Sequence, residues 1–127
     1  MNASAALRQY QTVNRNAQVL EASPHRLIQM LMEGGLERIA QARGALERGQ
    51  VALKGELIGK AVAIIGGLRE ALNPEVGGEY AANLDSLYEY MMRRLTEANR
   101  HSDVERLDEV SGLLRKVKEG WDGIAGA

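Results

Sequence analysis

Apolar residues recur at every third or fourth position through four long stretches of this chain, and that spacing places them on one face of an α-helix. The four apolar stripes extend from Ile28 to Leu46, from Leu57 to Leu72, from Ala81 to Ala98 and from Leu107 to Ile124. Short connections separate them, so sequential helices are expected to pack antiparallel. A chain of 127 residues is long enough to bury one hydrophobic core. The pattern therefore predicts an all-α fold, an antiparallel up-and-down four-helix bundle.

Local signals predict where these helices begin and end. Ser23–Pro24 is typical of an N-cap followed by proline in the first helical turn. The first stripe lapses near Gly49, and Asn73–Pro74 is expected to end the second helix, because the residue before a proline avoids helical geometry. Gly77–Gly78 is expected to form a loop or a fresh helix start. A further break is predicted at residues 99–102, before the fourth helix.

The first 20 residues differ from the rest of the chain. Leu7, Tyr10 and Val13 fall at helical spacing, but their neighbours are rich in glutamine and asparagine. This segment is either a weakly specified arm that docks and detaches, or a short helix that caps the bundle permanently. The predicted organisation is an N-terminal arm or cap at residues 1–20, a bundle domain at 21–122 and a frayed tail at 123–127.

The chain contains no cysteine and carries 16 basic against 17 acidic residues, for a formal net charge of −1. Without cysteine there is no disulfide framework and no thiolate metal site, which favours a reducing compartment. The charge balance argues against a nucleic-acid partner, which usually requires a basic patch. The start of the chain lacks the features of a secretory signal, and no apolar run approaches the roughly 20 residues of a membrane span. We therefore expect a cytoplasmic protein without membrane insertion.

Residues able to carry catalysis are sparse. His25 lies at the predicted start of the first helix and His101 in a predicted loop; neither has a second histidine four residues away, and no Glu-x-x-His occurs. We expect both to be solvated or capping histidines, in a protein with no enzyme activity, metal or cofactor. One alternative from another class is a histidine phosphotransfer bundle, although that chemistry favours an exposed histidine partway along a helix.

The apolar stripes are wider than one core face requires, and glycine pairs lie inside two of them, at Gly34–Gly35 and Gly66–Gly67. Each such glycine costs about 1 kcal/mol relative to alanine, but it lets a neighbouring helix approach closely. That neighbour is either inside the bundle or a partner segment in an apolar groove. We predict a binding groove on the first two helices, some of whose residues are expected to be core: Leu27, Ile28, Leu31, Leu36, Leu57, Ile58, Val62 and Ile65. The pattern also fits a purely structural bundle that dimerises through this surface.

A set of short segments, in order along the chain, is specific as a set although no single segment is decisive. The segments are residues 22–31, 61–65, Gly77-Gly78-Glu79, 82–84, 87–91, 108–110, 113–114 and Trp121. In these segments the chain resembles the flagellar secretion chaperone family FliS, from about Tyr10 to Trp121. One departure is Met32-Glu33-Gly34-Gly35, where the family usually has Tyr-Asp-Gly-Ala.

The resemblance implies an antiparallel four-helix bundle whose N-terminal segment is a movable cap. It implies that the protein binds the C-terminal region of flagellin in the cytoplasm, prevents premature polymerisation and delivers it to the flagellar export gate. Docking on the gate protein FlhA is implied for the N-terminal segment around Leu7 and Tyr10. We expect Leu7, Tyr10 and Val13 to cover the apolar groove in the free protein. A co-chaperone or an anti-sigma factor is a further partner that the sequence leaves open.

Overall fold

The computed structural model describes residues 22–124, which form four α-helices joined by short turns. The helices are α1 (Pro24–Glu47), α2 (Val51–Glu70), α3 (Pro74–His101) and α4 (Val104–Asp122). They pack in a ring, in which α1 contacts α2 and α4, and α3 contacts the same two helices. No strand occurs in this part of the chain. The predicted all-α, antiparallel four-helix bundle is confirmed.

Side chains that precede the helices cap three of the helix starts, those of α1, α3 and α4. Ser23 lies before Pro24, and its Oγ accepts a hydrogen bond from Arg26 N at 3.1 Å, as an N-cap residue does. Asn73 has the same role for α3, since its Oδ1 accepts a hydrogen bond from Glu75 N at 3.1 Å. The predicted start of the first helix is therefore confirmed. The second helix ends at Glu70, ahead of the predicted Asn73–Pro74, and Asn73 begins the third helix.

Of two predicted breaks, the fresh helix start at Gly77–Gly78 is confirmed in part, as a kink at Gly78, and the break at residues 99–102 is shorter than predicted. Helix α3 begins at Pro74, ahead of Gly77–Gly78, and only Gly78 departs from helical geometry, with φ 54° and ψ −128°. At its other end α3 continues through His101, because the left-handed residue that ends it is Ser102. The break predicted at residues 99–102 is therefore shorter than expected. His101, which was predicted in a loop, is the last residue of α3.

The core lies between the four helices and consists of aliphatic side chains with Tyr88 among them. One member of the predicted glycine pairs, Gly35, is buried, and a Cβ there would lie 3.1 Å from Leu114 Cδ2 and 3.5 Å from Ile64 Cγ2. The close approach that this glycine permits is therefore inside the bundle. The buried core residues are Met32, Ile39, Ala42, Ala45, Leu57, Ile58, Ala61, Ile65, Leu68, Tyr88, Met91, Leu95, Ala98, Leu107, Val110 and Leu114.

A lysine is buried where α2 begins and α3 ends. Lys54 is 3% exposed, and its Nζ donates hydrogen bonds to the Asn99 carbonyl oxygen at 3.0 Å and to Ser102 Oγ at 2.8 Å. Carbonyl groups in the last turn of a helix lack partners within the helix, and a cation is favourable there. Lys54 therefore closes the end of α3 and fixes it against α2.

The ends of the predicted domain organisation are only partly described. The arm predicted at residues 1–20 lies outside the described residues, and so do residues 125–127 of the predicted tail. Gly123 and Ile124 follow α4 and are not helical. Among residues 22–124, no helix combines the length and the apolar character needed to cross a bilayer.

Candidate binding groove

One end of the bundle contains an apolar cavity of about 260 Å³, at the starts of α1 and α3 and the ends of α2 and α4. Its buried lining residues are Met32, Leu68, Ala81 and Tyr88. Burial raises the pKa of Tyr88 to about 12, so this side chain stays uncharged at neutral pH. Val76 and Tyr80, near the start of α3, remain 84% and 53% exposed at the rim. The other lining residues are Ile28, Ala71, Leu72, Asn73, Gly77, Leu84 and Trp121.

A second cavity, of about 610 Å³, adjoins the first. Three residues line both cavities: Ile28, Ala71 and Trp121. The two cavities are therefore one continuous surface, which we call the end groove. The second cavity is completed by Pro24, His25, Leu27, Leu31 and Ile124. A concave surface that is mostly apolar is typical of a site for a ligand or a peptide segment.

His25 and Trp121 join the start of α1 to the end of α4 within the end groove. Their rings are stacked, with centroids 4.8 Å apart and an angle of 14° between the planes. Trp121 Nε1 donates to the His25 carbonyl oxygen at 3.0 Å, and His25 Nε2 donates to the Trp121 carbonyl oxygen at 2.9 Å. Of the two roles predicted for His25, the capping role is confirmed, since its ring satisfies a carbonyl in the last turn of α4. The stacking on Trp121 was not predicted.

Charged side chains next to the end groove are held by partners of opposite charge. Lys118 and Gln29 both donate to Asp122, at 2.7 and 2.9 Å, and the hydrogen bond from Lys118 is the main cause that lowers the pKa of Asp122. Beside Leu72 and Ala81, Arg69 Nε donates to Asp85 at 2.6 Å, which lowers the pKa of the Asp85 carboxyl. The surface between these two pairs is left apolar.

The structure divides the eight predicted groove residues into three sets. Three of them line the end groove: Leu27, Ile28 and Leu31. Two are partly buried against the core: Leu36 and Val62. Three lie in the core and present almost no surface to a partner, at 8%, 2% and 0% exposure: Leu57, Ile58 and Ile65. The predicted arm residues lie outside the described chain: Leu7, Tyr10 and Val13.

Sequence reasoning missed the part of the end groove that comes from α3 and α4. Val76 and Tyr80 lie on either side of Gly77–Gly78, outside the stripe that begins at Ala81, so a search for helical periodicity passes over them. Their presence as large apolar residues beside a glycine pair was the available signal. Trp121 belongs to the last stripe, and nothing in that stripe distinguishes a groove residue from a core residue.

Side chains suited to acid–base or metal chemistry are not concentrated at the end groove. Within residues 22–124, no three histidine, cysteine, aspartate or glutamate side chains are grouped closely enough to hold a metal ion. The groove offers apolar area and shape, with tryptophan and tyrosine among its lining residues. Those two residue types often contribute most of the energy of a protein–protein contact.

Known proteins resemble this chain over nearly its whole length. A family model described as "Flagellar protein FliS" matches residues 6–127. The chain is 66% identical to the flagellar secretion chaperone FliSB of Pseudomonas aeruginosa, over 98% of this chain and 99% of that protein. It is 43% identical to the flagellar secretion chaperone FliS of Vibrio cholerae, over 94% of this chain and 88% of that protein. It is also 43% identical to the flagellar secretion chaperone FliS of Salmonella typhimurium, over 98% of this chain and 93% of that protein. The expected family is confirmed: the chain belongs to the FliS family of flagellar proteins.

Proposed function

We propose that this protein is a flagellar secretion chaperone that binds the C-terminal region of flagellin in the cytoplasm. It prevents premature polymerisation of flagellin and delivers it to the export gate, where the pair docks on FlhA. The observation that supports this proposal is the end groove, a continuous apolar surface built from the ends of all four helices. The protein acts by binding, with no catalytic step. A co-chaperone or an anti-sigma factor is a further proposed partner.

The end groove suits an amphipathic helix. Trp121 lines both of its cavities, so a helix that spans the groove contacts this side chain where the two cavities meet. The Arg69–Asp85 and Lys118–Asp122 pairs then lie beside the polar face of the bound helix. A client segment that is disordered when free loses entropy on binding, at a cost of about 2–5 kcal/mol. Burial of apolar area in the groove offsets that cost.

The N-terminal arm is proposed as a cap for this groove. An apolar surface left open to water favours aggregation. The arm joins the bundle at Ala22, next to Pro24 and His25, which line the second cavity. We propose that Leu7, Tyr10 and Val13 cover the groove in the free protein and are displaced by the client. Leu7 and Tyr10 are then available to contact FlhA.

Isothermal titration of the full chain with a C-terminal flagellin segment of a few dozen residues tests the client-binding proposal. We expect one-to-one binding with a negative heat-capacity change and a gain in helical circular dichroism. Tyr80→Ser, which removes an exposed ring at the groove, is expected to weaken binding about tenfold. Val51→Ser is the matched control, because Val51 is 69% exposed at the opposite end of the bundle. Absence of binding by the unaltered chain contradicts the proposal, and equal affinities of the two variants contradict the placement of the client in the end groove.

Deletion of residues 1–16 tests the cap. Without the arm, the groove is uncovered, so the free protein is expected to aggregate more readily and to bind the flagellin segment more tightly. Light scattering and the same titration measure the two effects. The cap proposal is rejected when solubility and affinity both stay unchanged.

Neither alternative raised by the sequence is supported by membership of this family. For phosphotransfer, the geometry of the histidines is also unfavourable. The His25 ring is stacked on Trp121 and its Nε2 is hydrogen-bonded, which leaves the imidazole poorly placed as a nucleophile. His101 is at the end of α3, and not partway along an exposed helical face.

A further inference from the structure

The first turn of α3 is set off from the rest of that helix. Residues 74–77 form one helical turn, and Gly78 follows it with φ 54° and ψ −128°, a combination that residues with a side chain rarely adopt. On the other side of the turn Asn73 is extended, with φ −110° and ψ 97°. The turn is therefore connected to α2 and to the body of α3 through a non-helical residue at each end.

The contacts of this turn are local. Asn73 Oδ1 accepts hydrogen bonds from Glu75 N at 3.1 Å and from Val76 N at 3.4 Å. A Cβ at Gly77 would lie 2.7 Å from the Ala81 Cβ, so the turn is folded directly against the next turn of α3. Within the described chain, no side-chain hydrogen bond or ion pair joins residues 74–78 to another helix. The turn is thus fixed by its own backbone and by its two ends.

The turn and the residues just after it carry apolar surface that the four helices leave uncovered. Val76 is 84% exposed and Tyr80, two residues beyond Gly78, is 53% exposed. Both nevertheless line the 260 Å³ cavity, whose opposite wall is formed by Ile28 and Trp121. Movement of the turn toward the cavity would bury Val76, whereas Tyr80 lies beyond Gly78 on the body of α3 and is buried when another side chain enters the cavity. The glycine pair that the sequence singles out therefore adjoins the most exposed apolar part of the end groove.

We propose that residues 74–77 form a flap, hinged at Asn73 and Gly78, that closes over an apolar side chain of the bound client in the smaller cavity. The proposal rests on the client-binding function proposed above and adds a moving part to the same site. Closure buries Val76 against the incoming side chain, and that side chain covers Tyr80, so apolar surface at the rim is removed from water. Gly78 permits the change in backbone dihedral angles that closure requires, because it lacks the Cβ that restricts other residues.

A fluorescent label on the flap tests this motion directly. The chain has no cysteine and a single tryptophan, Trp121, which lines the cavity. Val76→Cys in the full chain therefore gives one labelling site, and a bimane attached there is quenched by Trp121 at short range. Addition of the C-terminal flagellin segment is expected to change the bimane intensity by about twofold or more as the flap closes. A bimane at Val51→Cys, at the far end of the bundle, is the control and is expected to stay constant.

Two further variants separate hinge motion from simple contact. Gly78→Ala, combined with the label at residue 76, is expected to reduce the intensity change and to weaken flagellin binding several-fold, because a Cβ disfavours the geometry of the hinge. Gly112→Ala is its matched control: Gly112 lies within α4, and a Cβ there meets no atom within 4 Å. Val76→Ala is expected to weaken binding several-fold without changing the thermal midpoint, since Val76 is 84% exposed and packs little against the four helices.

The outcomes distinguish failure of the flap proposal from failure of the client-binding function on which it rests. Binding of the flagellin segment with an unchanged bimane signal, and with full affinity in Val76→Ala, overturns the flap and leaves the client-binding function in place. Failure of the unlabelled chain to bind the segment overturns the client-binding function. In that case the same label is read against an amphipathic leucine-rich helical peptide, and an unchanged signal overturns the flap as well.

Discussion

Helices α4 and α2 lie on opposite sides of the bundle, and they are attached to their neighbours by different kinds of contact. Helix α4 is tied to α1 by an ion pair between Arg43 and Asp108 at 2.8 Å. It is tied to α3 by an ion pair between Arg94 and Glu109 at 2.7 Å, and Tyr90 donates a hydrogen bond to the same glutamate at 2.8 Å. Polar side chains therefore connect α4 to both of its neighbours.

Helix α2 has fewer ion pairs with its neighbours than α4 has. Among the described residues it forms one ion pair with a neighbouring helix, from Arg69 to α3, and none with α1. Its solvent side includes Gly59 and Ala63, while Ile58 and Ile65 are buried. Among the described residues, α4 is thus joined to both neighbours by ion pairs, whereas α2 has polar contacts with α3 alone, through Lys54 and Arg69, and packs on α1 by burial. Exposed ion pairs contribute little to stability, so the α2 side is expected to carry more of it.

The largest effect is expected from a truncation in the core of α2. Ile65 is 0% exposed, and Ile65→Ala leaves a cavity among packed side chains. We expect the free energy of unfolding to fall by about 2–5 kcal/mol, measured by urea denaturation and circular dichroism. Arg43→Met, which breaks the pair with Asp108 on the α4 side, is the comparison and is expected to change stability far less. A larger loss in Arg43→Met than in Ile65→Ala would reverse the comparison.

The next effect is expected at the one buried ammonium described in α2. Lys54→Met leaves the Asn99 carbonyl and the Ser102 hydroxyl without their donor. Because hydrogen bonds from a charged donor contribute more than neutral ones, stability is expected to fall by about 1–3 kcal/mol in the same denaturation experiment. Lys60→Met is the control on the exposed side of α2, where Lys60 contacts only Glu56 of its own helix through an ion pair. Equal stability of the two variants would show that the buried lysine is not needed to close α3.

A smaller effect of opposite sign is expected at two helical glycines with open space beside them, one on each side of the bundle. A Cβ at Gly59 in α2 or at Gly112 in α4 meets no atom within 4 Å. Replacement by alanine lowers the backbone entropy of the unfolded chain, so each variant is expected to gain about 0.5–1 kcal/mol. Thermal and urea unfolding measure the gain. A loss of stability in Gly59→Ala alone would mean that the α2 surface is packed more tightly than the structure shows.

The smallest effect is expected from pH on the α4 side. The hydrogen bond from Arg94, followed by that from Tyr90, holds the pKa of Glu109 below its ordinary value of 4.5. The unfolded chain therefore binds this proton more readily, and stability falls as the pH decreases from about 5 through the folded-state pKa. Since the Glu109 side chain is 37% exposed, solvent screens much of the effect. As the pH is lowered, the urea midpoint of Glu109→Gln is expected to fall less steeply than that of the unaltered chain. Parallel curves would show that Glu109 does not contribute to the pH dependence of stability.

The sequence predicts the helices well because their signals are local. Ser23 and Asn73 cap through side chains next to them in the chain, and the apolar spacing follows from the geometry of a helix. The function class also follows from ordered segments that the chain shares with its family. These features need no knowledge of how distant parts of the chain meet.

The groove is harder to predict because it depends on distant contacts. A stripe of apolar residues is the same whether it faces a core or a groove, so Leu27 and Ile65 are alike in sequence and different in exposure. The stacking of His25 on Trp121 joins residues 96 positions apart, and no local sequence pattern predicts such a contact. Val76 falls outside the predicted stripe because Gly78 interrupts the helix between it and Ala81.

Because Trp121 lies near the end of the chain, its contact with His25 forms late during translation, and the end groove is completed only then. A chain emerging from the ribosome exposes His25 long before Trp121 is synthesised, and N-terminal parts begin to fold first. Both cavities have Trp121 in their lining, so the end groove has no finished wall until α4 has been made. A nascent chain that stops short of residue 121 therefore lacks the tryptophan that lines both cavities, even when most of α4 has been made.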